Sequence, residues 1–155
     1  MVINILLPYK DKFDIKKPSS VSITIQKNIP YSKFKNNIKI FGSEILSPMY
    51  KDLYYSVPRS INPFKSKNKH IANIMCQNII KLNNPYQAIE MHNRPYLFQY
   101  VKNLLPNYPI SIFFHNDPLE MKGSVSINDR KKLLLRLDKI FCVSKYIKKR
   151  FLIGI

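Results

Sequence analysis

Apolar residues fall along this chain in short solid runs, separated by longer stretches whose apolar positions recur every three or four residues. "VINILLP" (Val2 to Pro8) is the first run, continuous and ended by proline, as expected of a strand buried on both faces. "NIKIFG" (Asn37 to Gly42) is the second, closed by a glycine turn. "AIEM", "PISIFF" and "KIFCVS" supply a third, fourth and fifth strand. Between them, Asn68 to Leu82 carries apolar residues at Ile71, Ile74, Met75, Ile79 and Leu82, the spacing of an amphipathic helix. "RPYLFQYVKNLLP" reads as a helix with proline in its first turn, where the missing N–H costs nothing. "SINDRKKLLLRL" is another helix, and "KYIKKRFL" begins the next. Pro18-Ser19-Ser20 offers a helix start with serine as N-cap, although the β-branched "VSITI" leaves a strand open there. Ser43 to Lys67, rich in Pro, Tyr and Lys, reads as a long surface excursion.

Strand alternates with helix, and the strands are solid rather than alternating. That combination predicts a doubly wound α/β fold, Rossmann-like, with a mainly parallel sheet and crossover helices, in a single domain over residues 1–155. Composition agrees: 155 residues suit one domain, and 45% hydrophobic residues suffice for a core. No apolar run reaches the ~18 residues of a membrane span, and the N-terminus lacks a basic region and cleavage site, so no signal peptide is expected. Cys76 and Cys142 sit in apolar elements without metal spacing and read as reduced, buried thiols of a cytoplasmic protein. The net charge of +17 favours anionic partners. The Lys residues are spread over the whole chain, however, and the joint abundance of Lys, Asn and Ile is what an AT-rich coding sequence produces. The charge therefore reads first as solvated surface.

Candidate chemistry lies where strands end. Two apolar runs stop at the same kind of motif, His92-Asn93-Arg94-Pro95 and His115-Asn116-Asp117-Pro118, and a third stops at Ser144. In open α/β sheets the carboxyl edge is where ligands bind. A neutral imidazole donates and accepts, an amide does both, and a carboxylate accepts only, so this set suits sugar hydroxyls better than a phosphate. The plain alternative is that Asn and Asp cap the loop and the histidine fills a gap. Glu90 and His92 share one face of an extended strand, but they form a weak metal signal that no cysteine joins. No Walker loop, "GxGxxG" or "GxSxG" occurs. The basic carboxyl-terminal stretch from Asp129 to Phe151 reads as a solvated helix face, with an anionic membrane surface as the functional alternative.

Taken in order, "EMHNRP", a helix, "FFHNDP", "MKGS", "DRKKLL" and "DKIFCVSKYIKKRFLIGI" resemble the amino-terminal half of the family-four retaining glycosyltransferases, enzymes of the two-Rossmann-domain GT-B fold. The likeness is to bacterial members that build cell-surface polysaccharide or lipopolysaccharide. It runs from about Ala88 to Ile155 and extends more weakly over "INILLP" to "NIKIFG". The resemblance implies that this domain binds a glycan or lipid-linked acceptor. A carboxyl-terminal domain would bind the nucleotide-sugar donor, which is a substrate, with no obligatory metal and no separate cofactor. It implies that His115 faces the transferred sugar in the catalytic cleft, with Asn116 and Asp117 on the same wall. His92, Asn93 and Arg94 would sit on the neighbouring strand end nearer the acceptor, and Ser144 at the next. Ser19 and Ser20 stand where many members carry glycine in the loop that approaches the donor phosphates. The chain stops at Ile155, before the donor domain, so the expectation is half of an enzyme, inactive alone, in the cytoplasm and peripheral at the inner membrane. The alternatives are a non-catalytic sugar-binding module and a basic adaptor for an anionic surface, with nucleic acid the least expected partner.

Overall fold

The apolar runs pair side by side. β1 (Val2–Leu6) lies in the middle, flanked by β2 (Ile38–Ser43) and β4 (Gln87–His92). β3 (Tyr54–Val57) extends the sheet beyond β2, and β5 (Ile110–Phe114) and β6 (Lys139–Cys142) extend it beyond β4. The sheet has six strands in the order β3-β2-β1-β4-β5-β6, and every pairing is parallel. The computed structural model from which this follows describes residues 1–62, 64 and 66–155.

Helices fill the connections: α1 (Ser20–Asn28), α2 (Lys67–Leu82), α3 (Phe98–Leu104), α4 (Ile127–Arg136) and α5 (Lys145–Leu152). Four of them start on a serine cap. Ser19, Ser66, Ser126 and Ser144 accept from the amides of Ser22, Lys69, Asp129 and Ile147, meeting one of the free N–H groups that every helix start leaves. The cap also settles the ambiguous "VSITI": with Ser19 in place, Val21 and Ile25 fall one turn apart on the same buried face. α2 ends at Asn83, which adopts the left-handed cap conformation at φ 45°.

Two cores result, one on each face, which is the doubly wound arrangement. Leu6, Met91, Ile112 and Phe114 pack under α2, α3, α4 and α5 through Met75, Val101, Leu133 and Phe151. Ile5, Leu7, Ile38 and Ile40 pack on the other face with Val21 and Ile25 of α1 and with Phe13. Between β1 and β4, Asn4 Nδ2 donates to Gln87 Oε1 at 3.1 Å, pairing two polar groups that burial would otherwise penalise.

The structure corrects two expectations. The excursion from Ser43 to Lys67 contains β3, an edge strand whose Tyr55 and Ser56 are exposed; Pro63 and Lys65 of that excursion lie outside the described residues. β6 is not buried on both faces either. It is the opposite edge, and its Lys139 and Phe141 are exposed. Of the cysteines, Cys76 is fully buried, which pushes its thiol up to about 12, whereas Cys142 is half-buried; both are free. Among the described residues no helix is long and apolar enough to cross a membrane.

Behind β5, two residues lock the chain. Gly123 sits at φ 93°, and a Cβ there would lie 2.5 Å from the backbone nitrogen of Tyr96. Buried Arg130 donates to the carbonyls of Ser124, Val125 and Ile153, tying α4 to its own entry loop and to the chain after α5. Gly123→Ala should lower the unfolding free energy by about 2 kcal/mol or more, because a backbone must move. Gly154→Ala should cost only about 1 kcal/mol, since its Cβ meets the flexible tip of Ile127. Urea denaturation of the two variants checks this; equal losses would contradict it.

Candidate functional site

Parallel strands all end at one edge, so topology alone gathers His92, His115, Ser144 and the loop after β1 on the same side of the sheet. The direction of strand addition reverses between β1 and β4, and the loops beyond their ends open around that point. His92 is the last residue of β4 and pairs with Phe113 of β5. His115 lies two residues beyond Phe113 and therefore shares a face with it. The rings of His92, Phe113 and Phe141 stack in a row across three strands, with centroids 5.0 and 4.3 Å apart.

A hydrogen-bonded chain links three titratable groups. Glu90 Oε1 accepts from His92 Nε2 at 2.7 Å, and His92 Nδ1 lies 2.8 Å from His115 Nε2. The chemistry of the partners assigns the protons. An ionised carboxylate only accepts, so His92 carries a proton on Nε2; in the neutral ring Nδ1 then accepts from His115 Nε2–H. Nδ1 is left as the acceptor of His115. Burial, and secondarily the nearby His92, push the His115 imidazole down to about 4, so it is neutral at physiological pH. Such a ring accepts a hydroxyl hydrogen readily but holds a proton poorly.

The turn after β4 fixes this geometry. Asn93 and Arg94 both adopt the left-handed conformation, at φ 54° and 56°, which costs non-glycine residues roughly 1–3 kcal/mol each. Asn93 is buried. Its amide donates to the Phe113 carbonyl at 2.8 Å, and its Oδ1 accepts from the His115 amide at 3.0 Å. Asn93 is thus the clasp between the ends of β4 and β5. Arg94, half-exposed, leads into the Pro95 turn.

The other expected residues divide. Asp117 caps the Pro118–Glu120 turn through the Leu119 amide and pairs with Arg150 Nε of α5 at 2.7 Å. Burial opposes the charge on its carboxyl, but the Leu119 amide and the Arg150 guanidinium hold it below the usual carboxylate range. Its carboxylate is therefore directed to α5, whereas the resemblance implied the wall beside His115. Asn116 is exposed. Ser144 and Ser19 are the caps of α5 and α1, and Ser20, exposed, is the first residue of α1.

Asp11 belongs to the site and was not singled out in the sequence. It lies in the loop after β1, and its carboxyl is raised by burial, with Ser19, Arg94 and His92 acting in the opposite sense. The signal was available: in a parallel sheet, a carboxylate in that loop must land on this edge. Below the edge, Glu90, His92 and Phe113 also line a groove of about 210 Å³ closed by Ile25 and Ile29 of the α1 region. Among the described residues no three His, Cys, Asp or Glu side chains converge as a metal ligand set.

His115 gives a signed pH dependence. Its folded value near 4 lies below the unfolded 6.5, so as pH falls the unfolded chain takes up this proton first. The stability tied to a neutral His115 is complete above about pH 6.5 and is lost progressively toward pH 4. Denaturant titrations at pH 7 and pH 5 should show the chain weakening across that window, and His115→Gln should flatten the slope. An unchanged slope in the variant would mean that His115 is not held neutral.

No family model matches the sequence, no curated protein matches it, and no solved structure matches the chain.

Proposed function

We propose that this chain is the acceptor-side half of a retaining glycosyltransferase, transferring a sugar from a nucleotide-sugar to a polysaccharide or lipid-linked glycan acceptor. The observation that carries the reading is the Glu90–His92–His115 chain at the carboxyl edge of a parallel sheet. A neutral imidazole oriented by a second imidazole and a carboxylate offers one fixed acceptor to a hydroxyl. That suits a polyol, which must be bound without charge, better than it suits proton abstraction, for which a group titrating near 4 is too weak a base. In this reading His115 contacts a hydroxyl of the transferred sugar, Glu90 and His92 position it, and Asp11 and Arg94 face the acceptor. In this reading the groups that bind the donor diphosphate belong to a separate domain that closes the cleft, and the sheet edge described here turns over no nucleotide-sugar by itself.

A second reading, a sugar-binding module without transfer chemistry, is favoured by one observation. Ser19 Oγ accepts from the Ser22 amide at 3.1 Å, so a capped serine occupies the turn where a glycine would leave backbone open to a donor phosphate.

Glycan-array binding together with a nucleotide-sugar hydrolysis assay tests the proposal. The chain should bind glycans and hydrolyse no nucleotide-sugar. His115→Ala should weaken glycan binding by roughly five- to tenfold, the worth of about one hydrogen bond. Undiminished binding by His115→Ala, or turnover by the chain alone, would contradict the proposal.

A further inference from the structure

The same edge carries a second pocket, on the far side of β1 from the histidines. It lies between the loops after β1 and β3 and the first turns of α2, and Tyr9, Val57, Arg59, Lys67 and His70 line it. Its volume of about 90 Å³ is several times what one water requires, so it has room for a polyatomic group.

The surroundings are cationic and uncompensated. Lys67 Nζ lies 4.7 Å from the centre of the Tyr9 ring, and Lys12 Nζ, outside the pocket lining and donating to Ser43 Oγ at 3.0 Å, lies 5.2 Å from the same ring. Arg59 adds a guanidinium to the wall. Among the described residues the one Lys or Arg paired with a carboxylate is Arg150, so Lys12, Arg59 and Lys67 have no acidic partner. Like charges brought together without a counter-charge repel one another; an anion in the pocket removes that cost.

We propose that this pocket binds a phosphate group, and that the acceptor served by the edge carries one. The second half rests on the glycosyl-transfer reading above. Phosphate fits better than carboxylate because the two cations of the wall come from separate segments, Arg59 from the loop after β3 and Lys67 from α2. A tetrahedral dianion takes donors from several directions, whereas a planar carboxylate favours a single guanidinium fork. The phosphate could belong to a sugar phosphate or to a phospholipid headgroup.

Calorimetric titration of the intact chain with inorganic phosphate, at ionic strength held constant with sodium chloride, tests the site. Saturable binding is expected, weakened at least fivefold by Lys67→Ala and by Arg59→Ala, and unchanged by Lys131→Ala/Lys132→Ala on α4. Lys67 and Arg59 are both exposed, so these variants leave the core intact. Non-saturable binding, an equal loss in the α4 control, or glucuronate binding as tightly as phosphate would overturn the proposal. Glucose 6-phosphate and vesicles containing phosphatidic acid then separate the two sources, the tighter of them naming the class of acceptor. His115→Ala should keep its phosphate binding while losing glycan affinity, so the failure of one reading is distinguishable from the failure of the other.

Discussion

The parallel pairing of β4 with β5, Met91 against Ile112 and His92 against Phe113, sets where everything else at the candidate site lies. A shift of one residue in that register would turn Glu90 and His92 away from the face that His115 shares, and send Met91 out of the core. Register is held from both sides of the strand end. Below it, Ile89, Met91, Ile112 and Phe114 are buried under the helices. Above it, Asn93 bonds to the backbone of both Phe113 and His115. A buried apolar face and a buried amide thus specify one alignment, and the hydrogen-bonded histidines follow from it.

That alignment accounts for the backbone of the His-Asn-x-Pro motif after β4. Two consecutive left-handed residues are costly, and they persist where surrounding contacts over-determine them. The His-Asn-x-Pro motif after β5 looks alike in sequence but does different work. There the Asp caps a turn and binds Arg150, anchoring α5 to the edge. Each motif contributes its histidine to the candidate site, while Asn93 of the first clasps β4 to β5 and Asp117 of the second ties α5 to the edge. The edge is divided likewise along its length, with a carboxylate-oriented pair of imidazoles at β4 and β5 and lysines around Tyr9.

Much of the fold was legible because buried parallel strands are solid apolar runs and the helices between them carry a helical period and serine caps. β3 was not: "YYSV" is short, half-exposed and set among Tyr, Lys and Pro, so neither of its faces shows a strand pattern. β6 misled in the opposite way, since an apolar edge strand reads like a central one. At the site, His92 and His115 could be placed on one edge from sequence, but the bond between them depends on side-chain register, which periodicity does not report. The fold contacts of Asn93 and Asp117 are not legible in sequence, because the types of polar residue that line a site are also those that cap turns and clasp strands. Asp11 was passed over because nothing in "KDKFD" marks it until the topology brings that loop beside His92 and Arg94.

The central claim is that Glu90, His92 and His115 act as one oriented unit. Imidazole nitrogen-15 NMR of the chain and of Glu90→Gln measures it most directly. Both rings should carry the proton on Nε2 at neutral pH, His115 should titrate near 4, and Glu90→Gln should shift the resonances of both histidines. A His115 imidazole titrating near the ordinary 6.5 and unaffected by the substitution would contradict it.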